Sequence, residues 1–264
     1  MAFPYERYAT LNGPLTAYYP AHQAELAQRI VHEIAQASQL LSELLNQPSP
    51  PLEILIATPT DWPLVPQESE EEEGAEAAPM LPYWTAVTSP STLVVPEKMD
   101  EIIGEATPEK LSLLLYHELA HAFLESDPRP WPEELPLWAD EWQLQFAAFW
   151  LFWQIHGQVE NITADLREQF AELFEPEADG KTPVTVRGFD WYEDTTPDDY
   201  LEFVLLLERF ASDLLTHYDA TILPRFLTQY RRDLPVLLSD EATLMLAEAL
   251  GPGGEEWLEN LVYF

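Results

Sequence analysis

The sequence predicts an α+β fold, in which a small mixed sheet and one buried motif helix precede a helical C-terminal half. Three observations predict it. Leu52–Ala57 and Tyr83–Val95 carry β-branched and aromatic runs bounded by proline and serine, as strands do. The stretch from Thr107 to Glu125 has the residues of a helix start and encloses His117-Glu118-Leu119-Ala120-His121. Beyond Leu137 almost every segment shows apolar residues at helical spacing.

Taken in order, residues 1–19 are aromatic and irregular, with room for one short strand. From Ala21 to Asn46 the residues Leu26, Ile30, Ile34, Ala37, Leu41 and Leu44 share one helical face, and Gln47-Pro48-Ser49-Pro50-Pro51 ends that helix. A strand over Leu52–Ala57 follows. Asp61–Met80 is rich in Pro, Glu and Ala, so residues 68–79 read as an acidic, solvated, mobile loop. Tyr83–Val87 and Thr92–Val95 flank a turn at Ser89-Pro90-Ser91 and read as a hairpin. A short acidic helix is expected over Lys98–Ile103.

The motif helix begins with Thr107 as N-cap, Pro108 in the first helical position and Glu109 at the positive helix end, and should stop before Pro128. Asp127–Pro136 holds four prolines and reads as a stiff loop. Helices are then expected over Leu137–His156, Ala164–Phe174, Pro197–His217, Ala220–Arg232, Glu241–Leu250 and Glu255–Tyr263, with one strand at Val184–Val186. This divides the chain into an N-terminal α+β subdomain, 1-126, and a helical subdomain, 127-264, forming one catalytic unit.

Composition narrows the partners. Forty-seven acidic residues face 12 basic ones, a formal net charge of -35. Such a field repels nucleic acid and anionic membrane surfaces and attracts basic peptides; solubility in salty or acidic surroundings is an equal explanation. There is no cysteine, which excludes disulfides and thiolate metal sites. The first 19 residues lack a basic start and apolar run, so no secretory signal is expected. The most apolar stretch, Leu144–Ile155, is shorter than the ~20 residues that cross a bilayer. A soluble, cytoplasmic protein is the expectation.

The chemistry lies in the motif. On a helix, residues four apart stand one turn above each other, so His117 and His121 can offer two imidazole nitrogens to one metal ion. Glu118 projects beside that ion as a general base. Catalytic zinc usually takes three protein ligands. No histidine lies in the dozen residues after His121, so the pattern with a nearby third histidine is absent; a carboxylate is the other usual choice, and Glu141 stands 20 residues on, in the first turns of a strongly apolar helix. The stiff proline loop would let the two helices pack antiparallel. Asp140 competes for the role; adjacent helical positions point about 100° apart, so only one of the pair should face the metal. His32-Glu33-Ile34-Ala35-Gln36 matches the motif except for its last residue and reads as an ordinary surface helix.

The motif helix, the proline link and Trp138-Ala139-Asp140-Glu141 resemble the gluzincin metallopeptidases, a zincin-like group, in the branch of the peptidase MA and aminopeptidase-N-like families. In that group HExxH is followed some 20 residues on by a tryptophan- and glutamate-bearing helix. The resemblance implies zinc as cofactor, His117, His121 and Glu141 as ligands, and Glu118 as the base for hydrolysis of a peptide or protein substrate. It also implies an oxyanion donor from a later helix, for which Tyr200 is the first candidate, Tyr192 the second, and His156 and His217 weaker ones. The sequence departs from the family in placing Trp142 where glycine usually follows the third ligand, and a ring beside the metal would narrow the cleft. The substrate would pair with the exposed strand of the Tyr83–Val95 hairpin. The alternative is a zincin-fold binding or regulatory protein without turnover.

Overall fold

A computed structural model of the protein describes residues 3–67, 79–157, 162, 164–175, 182, 184–189 and 196–264. It is a mixed structure of helices and one five-stranded mixed sheet. The chain separates into two compact units, Met1–Asp127 and Pro128–Phe264. Among the described residues no helix is long and apolar enough to cross a membrane.

In the first unit the sheet has the order β1-β2-β3-β5-β4. β1 (Ala9–Asn12) and β2 (Thr16–Tyr19) form an antiparallel hairpin, so residues 1–19 hold two strands where the sequence reading allowed one. β3 (Leu52–Ala57) is parallel to β2 and to β5 (Ser91–Pro96), and β4 (Tyr83–Thr85) closes the sheet antiparallel to β5. β3 lies between β2 and β5, and all its residues but Glu53 are buried, on both faces of the sheet, which explains why Leu52-Glu53-Ile54-Leu55-Ile56-Ala57 is an almost unbroken apolar run instead of an alternating one. Leu55 and Val94 face a cluster with Phe3, Tyr8, Trp62 and Val65.

α1 (Ala24–Leu45) makes the crossover between β2 and β3. Ile30, Ile34, Ala37 and Leu41 are fully buried along it, as their spacing requires. Asn46 ends it in the left-handed conformation, φ 52°, which asparagine tolerates better than most residues. The acidic helix expected at 98–103 is only a single 3-10 turn, Glu101–Ile103, stopped by Gly104 at φ 78°. Residues 68–78 of the acidic loop lie outside the described residues; Trp62–Leu64 before them form a 3-10 turn.

The second unit is helical. α3 (Leu137–His156) packs on α5 (Pro197–His217), with α6 (Ile222–Tyr230), α7 (Ser239–Leu250) and α8 (Gly254–Glu259) beside them. The segment expected as one helix over 164–174 is α4 (Ala164–Gln169) and a 3-10 turn; numbering in chain order, α4 precedes α5. The strand expected at Val184–Val186 is instead the approach to a 3-10 turn, Val186–Gly188. Its polar main chain is satisfied by the C-terminal segment: Thr182 N–H donates to Val262 O and Val186 N–H to Tyr263 O. The proline loop is tied down as well, through Glu133 N–H to Leu234 O and Glu134 N–H to Pro235 O.

Candidate functional site

The helix that carries the motif, α2 (Pro108–Glu125), is set by local chemistry at its start. The Thr107 hydroxyl accepts from Lys110 N–H at 3.2 Å, and Pro108 fills the position whose N–H has no helical partner. Leu115, Tyr116, Leu119 and Phe123 are fully buried, and α2 packs on α1, β4 and β5. The Ser112 hydroxyl donates to Glu33 at 2.8 Å, so the imperfect copy of the motif on α1 supplies a structural carboxylate; its His32 is exposed.

His117 and His121 present their rings one turn apart, with centroids separated by 5.1 Å and planes at 68°. Both are half-buried. Burial holds His121 well below the usual imidazole range, at about 4, so at neutral pH it carries a lone pair and no charge. Such a nitrogen is what a zinc ion requires.

Glu118 is also half-buried, and its Oε2 accepts the backbone N–H of Trp84 at 2.8 Å. Trp84 is the middle residue of β4 and pairs with Leu93. An antiparallel residue either exchanges both backbone bonds with its partner or neither. With its N–H on Glu118, Trp84 belongs to the second kind, and its N–H and C=O point away from β5. On that side β4 has no neighbouring strand among the described residues. The motif carboxylate therefore caps the edge of the sheet.

Glu141 and Asp140 lie in the opening turns of α3, in the second unit. Glu141 is half-buried, and burial, reinforced by the neighbouring charge of Asp140, pushes its carboxyl up to about 7. Trp142 turns into the helical core, 1% exposed, against Phe226 at 5.0 Å and Phe146 at 5.9 Å between ring centroids. The expectation that this ring would narrow a cleft is corrected by that packing. It takes the place of an aromatic core residue, one helical position and so about 100° round from Glu141.

The structure thus brings His117, Glu118 and His121 together on one element with β4 beside them. Among the described residues no group of three or more histidine, aspartate or glutamate side chains is gathered as a metal ion would need. The two imidazoles fit zinc by donor type; the third ligand rests on the sequence pattern. Tyr200 stands in the first turn of α5, 38% exposed, and His156 and His217 are exposed at the ends of α3 and α5. Tyr192 lies outside the described residues.

Two features escaped the sequence reading. One is the Trp84 amide, a main-chain donor that no residue type announces. The other is Tyr230, fully buried, whose hydroxyl lies against Asp140 and Gln143 and is held above the usual phenol range by burial and then by the Asp140 charge. Its signal was the placement of a tyrosine at the end of an amphipathic helix, Ile222–Tyr230, on the face of Ile222, Leu223, Phe226 and Leu227.

No family model and no curated protein matches this sequence.

Proposed function

We propose that the protein is a zinc-dependent peptidase with a zincin-like arrangement, in which His117, His121 and Glu141 hold the metal and Glu118 is the general base. The observation that supports this most is the pairing of the two imidazoles one turn apart with a carboxylate between them that reaches the edge of the sheet at β4. Zinc, when bound, supplies the Lewis acidity that lowers the pKa of a coordinated water to roughly 7.

The chain's own residues do the rest. His121, uncharged by burial, presents its ring nitrogen without first losing a proton. Glu118 receives a proton from the attacking water as the new C–O bond forms, and returns it to the leaving amine nitrogen as the C–N bond breaks. Tyr200 is the proposed donor to the developing oxyanion, a contribution worth a few kcal/mol when the donor is well placed. An extended peptide lies along β4, and the net charge of -35 favours a basic one.

Elemental analysis of the purified protein, together with cleavage of lysine-rich and acidic peptides, tests this reading. One zinc per chain is expected, with faster cleavage of the lysine-rich set. Glu118→Gln should keep the zinc and lose hydrolysis by about 100-fold or more. Absence of stoichiometric zinc, or undiminished cleavage by the variant, overturns the proposal. Retained zinc with no cleavage by the native protein would leave a zincin-fold binding protein.

A further inference from the structure

We infer that the Trp84–Glu118 hydrogen bond is a latch released by substrate: an extended peptide can pair with β4 at Trp84 only by taking the Trp84 amide from Glu118, and the same exchange releases the carboxylate from the sheet edge for its role as base. This rests on the proposed reading for its catalytic half alone. The edge-capping half stands on geometry.

Three observations carry it. First, the N–H of Trp84 is directed away from β5 and is already donated to Glu118 Oε2 at 2.8 Å. Secondly, the outward-facing positions of a strand recur every second residue, and the one preceding Trp84 is Pro82, which has no N–H to offer. The edge therefore presents the Trp84 amide as its donor within β4, and that donor is occupied. Thirdly, the next outward-facing position, Ala86, lies beyond β4 and is exposed, so an incoming strand can register there before it reaches Trp84.

An unpaired strand edge is a template for any extended chain, and folded proteins commonly blunt such edges with charge. Here the blunting charge belongs to the residue proposed to do the chemistry. A peptide carbonyl facing Trp84 replaces Glu118 as acceptor, so the number of hydrogen bonds to the amide is conserved through the exchange. Glu118 moves from a structural to a reactive role only when a peptide backbone is in place. Trp84 is in this sense a positioning residue, acting through its main chain.

The test uses the full chain, metal-free, labelled with 15N at its nine tryptophans, and a blocked five-residue peptide of alternating lysine and valine as probe. The Trp84 backbone amide, assigned by its loss in Trp84→Phe, should resonate downfield in the native protein and move upfield in Glu118→Ala. The peptide should shift the same amide in the native protein. Because Glu118→Ala has no cap to displace, it should bind the peptide more tightly, by about three- to tenfold. Trp84→Pro, which removes the N–H where the ladder does not use it, should abolish that gain, whereas Trp84→Ala should keep it.

The inference is overturned if the amide does not move in Glu118→Ala, if the peptide leaves it unperturbed, or if the variant binds no more tightly than the native protein. These outcomes are independent of the peptidase reading. A tighter-binding Glu118→Ala in a protein that holds no zinc would keep the edge cap and remove the hydrolase; zinc-dependent cleavage with unchanged affinities would do the reverse.

Discussion

The Ser112 hydroxyl donates to Glu33 at 2.8 Å and ties the motif helix to α1, with Arg29 near the same carboxylate at 4.0 Å. Ser112 is 2% exposed, and its removal takes one hydrogen-bond donor from the Glu33 carboxylate. Ser112→Ala should lower stability by about 1–2 kcal/mol in urea unfolding. A variant as stable as the native protein would show that this contact does not fasten α2.

Trp142 packs among Phe146, Phe210 and Phe226 in the core of the helical unit. Trp142→Ala should cost about 3–5 kcal/mol through lost burial and the cavity left behind. Trp142→Phe, which keeps an aromatic filler, should cost much less and leave zinc content unchanged. Loss of metal from a folded Trp142→Phe protein would mean that the ring also serves the site.

Metal binding to the native state alone must appear as stability. Zinc at about 100 times its Kd should add roughly 2.7 kcal/mol, read as a raised Tm that a chelator reverses. His117→Ala and His121→Ala should show no such response. Equal stabilisation of native and variant proteins would place the ion elsewhere.

Several phenols are held above their ordinary range, led by burial in each case: Tyr83, Tyr116, Tyr230 and Tyr263. A group whose folded pKa is raised stabilises the fold fully below the unfolded pKa, near 10 for tyrosine, and that contribution is lost as pH climbs beyond it, because the unfolded chain releases protons that the folded chain retains. Stability should therefore decline above pH ~10. While the protein stays folded, absorbance at 295 nm should count fewer phenolates than its 11 tyrosines. A full count in the folded protein would contradict the burial of these hydroxyls.

Much of this fold was legible where local chemistry and tertiary packing agree. Thr107 with Pro108 marked the start of α2, the prolines after Asn46 marked the end of α1, and the β-rich run at 52–57 marked a strand. The hairpin of β1 and β2 was harder, since Thr10 and Asn12 are exposed and each strand has only four residues. At Val184–Val186 a β-rich composition serves isolated hydrogen bonds to the C-terminal segment instead of a ladder. The motif residues could be named from spacing alone. The partner of Glu118 could not, because it is a backbone group placed by pairing between Trp84 and Leu93, and side-chain identity carries no record of that.

The pairing of Trp84 with Leu93 also changes what evolution can alter here. Almost any amino acid other than proline brings the same N–H to position 84, so substitution there leaves the donor intact. A slip of β4 along β5 by a single residue would turn that N–H inward and present a different one, or none, to the carboxylate. Tolerance at this spot is thus wide for chemistry and narrow for length: the distance along the chain from Trp84 round the turn to Leu93 is the inherited quantity, whatever the letters in between.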